Sequence, residues 1–292
     1  MNSNIFNLNR FGRYLVTDIK TAIANFGLSL LIVATLGLSF DIVSGLFSLI
    51  LNGEWSGLPD AARISIFGVV TAVVVILEPS KIYGYITEKK QGQAFLMLPV
   101  STLEKTISMI LVSCIIVPLV FFAIYLSVDF LVCLADPTCG KAILITFNDI
   151  RFDMLNGLSS NLEELKPFID NPTAFANPAW LIDDAIQLPL IFLLGAVFFK
   201  KSKPAKTFAT LIMIGFVLGL IASAATSGLT ERIQDFVMSV DNKTVMLSDF
   251  REYFPVLSWT ANHLFLIDTV SDTLVNLLLC FLIWLRIKKL NH

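Results

Sequence analysis

Few side chains in this sequence are of types that carry out reactions, and their spacing narrows the options further. The two histidines, His263 and His292, are far apart, and no HExxH, Walker A or paired-cysteine zinc spacing occurs. His263 is followed by Asp268 and Asp272, the one local grouping of a base with carboxylates. A step of five residues turns well off one helical face, and the three do not make up a zinc ligand set. An intramembrane enzyme needs a nucleophile with a placed base, or a metal with its ligands, so catalysis has little support and no metal site is expected. Asp41 is a carboxylate inside a long apolar run, where it is expensive and marks a candidate substrate path. Its neighbours Ser39 and Ser44 also suit a structural or interfacial role. Cys133 and Cys139 bracket LADPT, a spacing that permits a disulfide on an oxidising side, or two free thiols. Cys114 and Cys280 lie inside apolar runs and read as core residues.

The elements that must position these residues follow from composition. The chain is 55% apolar and 15% charged, with mean hydropathy +0.77, whereas a soluble domain carries about 25% charged residues. Apolar runs of about twenty residues recur, enough to cross roughly 30 Å of hydrocarbon. The expected fold class is all-α: a polytopic integral membrane protein of six transmembrane helices with an N-terminal interfacial helix. Residues 1–25 carry Phe6, Leu8, Phe11, Leu15, Ile19 and Ile23 at helical spacing among Arg10, Arg13 and Lys20. That pattern predicts an amphipathic helix lying in the interface, or else a simple extension of the first span. The first apolar run lacks a small-residue cleavage site, which predicts a retained span rather than a signal peptide. Spans are expected at about 26–51, 63–77, 106–134, 180–199, 207–225 and 263–285. Glu78-Pro79 is expected to end or kink the second, and Pro118 to bend the third. Residues 136–180 read as an outer subdomain and 226–262 as a second outer region of short or re-entrant helices.

Charge sets the expected orientation. The N-terminal segment, residues 78–105, residues 200–206 and the C-terminal tail hold 14 of the 21 Lys and Arg, against four acids, Asp18, Glu78, Glu88 and Glu104. By the positive-inside rule these places face the cytosol, with both termini there and the two larger polar regions outside. Nucleic-acid binding has no support, because no basic patch alternates with aromatics outside these segments.

Lys81 to Lys105, KIYGYITEKKQGQAFLMLPVSTLEK, is a polar and basic island between two apolar runs. Within it, Ala94-Phe95-Leu96-Met97-Leu98 is a compact apolar segment closed by Pro99. Ser101, with Glu104 three residues on, predicts a capping box opening the next helix. An exposed apolar segment flanked by charge reads as a docking surface, or as a connecting turn whose apolar residues dip into the membrane surface.

The run Thr87-Glu88-Lys89-Lys90-Gln91-Gly92-Gln93, then Leu98-Pro99-Val100-Ser101 and Glu104-Lys105, resembles the loop between the second and third spans of ABC type-2 exporter permeases. The resemblance in sequence is confined to this loop, while the expected topology agrees along nearly the whole chain. It implies a coupling helix, Gln91 to Leu98, seated in a cleft of a separate ATP-binding cassette ATPase subunit. Phe95, Leu96, Met97 and Leu98 would supply the contact, with Glu88, Lys89 and Lys90 at its edge, and Gly92, Pro99 and Glu104 completing the motif. It further implies a second permease copy or a similar permease, membrane lipid around both, and a location in the inner (cytoplasmic) membrane. ATP and Mg would be bound by the partner, and no cofactor by this chain. The larger segment 136–180 departs from the minimal family pattern. Two other readings stay open: an ion-coupled secondary transporter, which would place ionisable residues deep in several spans, and a non-transporting membrane subunit or sensor.

Overall fold

In lipid every backbone N–H and C=O must be satisfied within the protein, which leaves helices or closed barrels. The computed structural model, which describes residues 6–136, 138–146, 179–239 and 255–290, takes the helical solution, with no strand among them. Five helices are long and apolar enough to cross a membrane. This is a helical membrane protein. Most of the expected outer subdomain and part of the second outer region lie outside the described residues.

The first helical run, α1, extends from Leu8 to Asn52. The Asn7 side chain caps it, accepting from the backbone N–H of Asn9 at 3.0 Å and of Arg10 at 3.3 Å. No proline interrupts it, so the amphipathic segment and the first span are continuous, joined through a π-helical turn at Ile23–Gly27. Tyr14, Asp18, Ala22, Phe26, Leu30 and Ala34 are buried at four-residue steps along it. It ends at Gly53, whose φ of 74° is the left-handed cap that glycine adopts without steric cost.

Of the two outcomes the sequence predicts at Glu78-Pro79, an end or a kink, the end does not occur: helix α2 spans Asp60–Tyr83. It runs through the proline and tightens into a 3-10 turn at Gly84–Thr87. Proline forfeits one hydrogen bond inside a helix, and neighbouring helices offset that loss inside a bundle. After the short α3, Lys89–Leu96, α4 runs from Thr102 to Ala135. Its π-helical turn at Val112–Ile116 immediately precedes Pro118, so the irregularity expected at that proline is taken up as a π turn.

Helix α5, Ala179–Phe198, contains Pro189, and its described apolar part, Ala185–Phe198, is shorter than a full span. Helices α6, Lys203–Ser239, and α7, Pro255–Leu290, are both longer than the sequence predicts. The described parts of 226–262 therefore continue these two helices rather than forming separate short ones. α5 is central, packing on α7, α2, α6 and the π turn of α4. Leu193, Ala196 and Val197 on α5 and Ile283 and Ile287 on α7 are fully buried. The apolar stretch of α6 is unburied within this chain; it meets the bundle near its start, where Lys203 and Thr207 are buried.

The α5–α6 contact depends on Gly195, where an added Cβ would lie 1.8 Å from Thr207 Oγ1. Gly195→Ala should force the two helices apart, at about 1–3 kcal/mol by the usual cost of overpacking. The thermal midpoint in detergent should fall accordingly, and an unchanged midpoint would show that α6 is not held there.

Candidate functional site

The loop that joins α2 to α4 is built around Glu104. Ser101 and Glu104 form the expected capping box, with Ser101 Oγ accepting from Glu104 N at 3.2 Å and Glu104 Oε2 accepting from Ser101 N at 3.1 Å. The same carboxylate reaches α1: it accepts from Asn7 N at 2.7 Å, from Arg10 Nε at 2.8 Å and from Arg10 Nη2 at 2.9 Å. The Glu104 side chain is fully buried and Arg10 is partly exposed. A two-pronged guanidinium–carboxylate pair fixes orientation as well as distance, so the start of α4 is clamped to the start of α1.

The short helix α3 is held by its own inner face. Phe95 is 2% exposed, packs edge-on against Tyr85 at 6.2 Å, and lies under the Lys105 ammonium at 5.0 Å. Lys105 Nζ also donates to the Phe95 carbonyl at 2.9 Å, a group at the end of α3 that accepts from Leu98 N at 3.4 Å as well. Gly92 faces Ile86, whose carbonyl oxygen would be 2.3 Å from any added Cβ, so only glycine lets α3 lie this close. Phe95 is therefore corrected from a docking contact to the residue that seats α3 on its own chain. The outward apolar residues are Met97, 82% exposed, and Leu98, 40% exposed. Pro99 and Glu88 are exposed, and Glu88 stands at the α3 N-cap. The side chains of Lys89, Lys90 and Leu96 lie outside the described ones.

Two more cations at this end bind the carbonyls of helix C-termini. Lys203 Nζ donates to the Gly84 carbonyl at the end of α2. Arg286 Nε donates to the Val197 carbonyl at the end of α5, at 3.5 Å, with its guanidinium 5.2 Å from the Phe198 ring centre. Residues that the sequence offers as orientation signals thus also close the bundle, by cation capping of C-terminal carbonyls.

The opposite end is held by Arg63, which the sequence presents only as the start of a span. Arg63 is buried and pairs with Asp129. It also donates to the Cys139 carbonyl at 2.9 Å, the Lys141 carbonyl at 3.0 Å and Cys133 Sγ at 2.9 Å. The second Asp129 oxygen accepts from Ile143 N at 2.8 Å. Cys133 and Cys139 are joined as a disulfide, with Cα atoms 5.0 Å apart. Asp41 is buried, and its Oδ1 accepts from Leu58 N at 2.9 Å, so it holds down the turn between α1 and α2. With Arg63, Tyr125 and Asp129 it borders a cavity of about 20 Å³, room for about one water and not for an organic substrate. Asp41 also lines a second cavity of about 300 Å³ with Leu38, Trp55 and Asp136, so it anchors the turn and borders open space as well. Trp55 Nε1 donates to Asp136 at 2.7 Å. With Thr138, this bond holds the Asp136 carboxyl below the usual carboxylate range.

Between the two ends lie acids that sequence patterning placed elsewhere. Asp18 on α1 is buried and accepts from Tyr83 of α2 at 3.0 Å and Ser108 of α4 at 2.6 Å, tying three helices together. Glu78 on α2, 1% exposed, accepts from Ser113 in the π turn of α4 at 2.8 Å. The signal that could have found Asp18 is its place on the buried four-residue stripe of α1; Glu78 was hidden by the stop signal of the proline after it. Among the described residues no group of His, Cys, Asp and Glu could hold a metal ion. Asp268 is exposed on α7, and the side chain of His263 lies outside the described ones.

Comparison with protein-family models, with curated proteins and with solved structures finds no match for this chain.

Two outcomes follow from these clamps. Arg10→Ala leaves Glu104 buried without its cation, which should cost about 1–3 kcal/mol and lower the thermal midpoint. Adding Glu104→Gln to it should recover part of that loss, and full additivity of the two would show that the pair is not coupled. Thiol labelling of the denatured, unreduced protein should modify the free Cys114 and Cys280 alone, and all 4 cysteines after reduction; four labelled cysteines before reduction would exclude the bridge.

Proposed function

We infer that this chain is the membrane-spanning permease subunit of an ABC exporter, moving a substrate with energy from ATP hydrolysed by a separate ATPase subunit. The observation that carries this reading is the α2–α4 loop. α3 is fixed on its inner face by Phe95 and Gly92 while Met97 and Leu98 stay exposed beside it. A helix braced from behind and apolar in front suits docking into a groove. The Arg10–Glu104 clamp would pass a push on this loop into both α1 and α4. On this reading α5 is a sixth span, the start of α1 lies in the interface, both termini are cytosolic and the membrane is the inner one. Two copies, or this chain and a similar permease, would enclose the path, with ATP and Mg bound by the partner ATPase.

Met97 is the residue to test, because its exposure lets it be changed without disturbing the fold, as Phe95 does not. Met97→Glu should leave the thermal midpoint unchanged and weaken retention of an ATPase subunit during purification from the native membrane by about tenfold or more, a loss of roughly 1.4 kcal/mol. A homogeneous complex with no ATPase, and transport indifferent to Met97→Glu, would overturn the reading.

A second reading, an ion-coupled secondary transporter, is favoured by one observation: Glu78 and Asp18 are ionisable residues deep in the bundle, where such groups mark ion pathways. Transport abolished by an ionophore yet indifferent to ATP would select it.

A further inference from the structure

Glu78 differs from every other buried acid described here. Glu104 is equally buried but meets hydrogen bonds from Asn7, Ser101 and both prongs of Arg10. Asp129 has Arg63 and Ile143. Asp18 has Tyr83 and Ser108, and Asp41 has Leu58. Glu78 has Ser113 on Oε2 at 2.8 Å, and its Oε1 has no hydrogen-bond partner among the described residues. None of the ion pairs among those residues involves it.

Among the described residues no cation pairs with Glu78. From α4 come Ser113 and Cys114, the latter a buried free thiol within electrostatic reach of Glu78. From α7 comes Cys280, which acts on Cys114 in turn. On α2 itself Tyr83 is within reach, with its hydroxyl committed to Asp18 of α1. Tyr14, also on α1, acts on Tyr83. The π turn of α1, Ile23–Gly27, and the described side chains of α5 bring no titratable group. α6 also packs on α2, and its buried Lys203 is committed to the Gly84 carbonyl.

The backbone is irregular on both sides of the same carboxyl. Pro79 follows Glu78 in α2 and removes the N–H that would bond the Val75 carbonyl. Ser113 sits within the π turn of α4, a distortion found more often at functional sites than elsewhere. An unpaired carboxylate oxygen in such a place is strongly disfavoured, whereas the neutral acid carries a hydroxyl there and keeps the Ser113 bond.

We propose that Glu78 is a proton-binding site of the bundle, with the proton on Oε1 and Ser113 donating to Oε2. Binding forms one O–H bond, with the proton taken from solvent and the side chain passing from charge −1 to neutral. The neutral form fits the closed packing of α2 on α4. Releasing the proton requires these helices to part at the π turn or to admit water, which makes proton release a reporter of opening there. The proposal goes beyond the permease reading and does not rest on it, because it concerns a different surface and holds whether or not an ATPase binds.

Infrared difference spectra of the full chain in lipid nanodiscs test it. At neutral pH the parent should show a carboxylic-acid carbonyl band that shifts on exchange into D2O. Glu78→Gln, isosteric and uncharged, should lack that band and melt at the same temperature as the parent or higher. Ser113→Ala should keep the band and move it to higher frequency, because the hydrogen bond to Oε2 is gone. A parent with no such band, or a band unchanged by Glu78→Gln, would overturn the proposal. A band abolished by sodium would identify a metal cation as the ligand and overturn it equally. If Glu78→Gln fails to fold, Ser113→Ala decides alone, and a band that does not move places the proton on another residue.

Discussion

The constraint on which this structure most depends is that a charge taken out of water must be met by partners. Glu104 shows how completely the chain meets it. One carboxylate closes the cap of α4, receives the chain just before α1 through Asn7, and holds both prongs of Arg10. Two segments distant in sequence, residues 7–10 and 101–104, converge on two oxygen atoms. The local signal, serine then glutamate three residues later, is visible in the sequence. The capping box alone would stabilise one helix end; the long-range part is what makes the loop a fixed feature of the bundle.

The same logic sorts the basic residues. In sequence they read as markers of membrane side, and their clustering supports that use. In the structure Lys105, Lys203 and Arg286 meet the carbonyls at the ends of α3, α2 and α5. Orientation and end-capping place the same requirement on the sequence, since cations favour both the membrane edge and the negative end of a helix. Arg63 carries out a comparable role at the opposite end, where it pairs with Asp129 and gathers the carbonyls of the disulfide-closed turn. Each end of the α1–α2–α4 unit is therefore closed by a buried guanidinium or ammonium, with Asp18 joining the three helices between them.

What was legible in the sequence was what depends on local pattern, the helical spans and the capping box; the short helix, which the loop resemblance implied at Gln91–Leu98, runs from Lys89 to Leu96. What was not legible depends on which way a residue faces once helices pack. Phe95, Met97 and Leu98 are alike in sequence, yet Phe95 turns inward under Lys105 and the other two face out, because contacts with Tyr85 and Ile86 set the roll of α3. Pro79 gave a stop signal that the bundle overrode, and so Glu78 was assigned to a solvated loop. The boundary at residue 25 came from a change in composition, which a continuous helix need not respect. Asp41 was singled out for its apolar setting, but the turn at Leu58 supplies its donor.

Polar ties between helices bear on which parts of the bundle can move. α1, α2 and α4 are joined by charge pairs and hydrogen bonds along their length, and near the loop end Lys203 of α6 bonds to α2 and Arg286 of α7 to α5. Hydrogen bonds and ion pairs have narrow geometric tolerances, and apolar contacts slide at lower cost. The first three long helices would then resist movement relative to one another. α5 lies between the two groups, packed on α2 and the π turn on one side and on α6 and α7 on the other. α7 also packs directly on α4 and α6 on α2, and among the buried acids described, Glu78 on α2 is the one with a buried oxygen left unpaired.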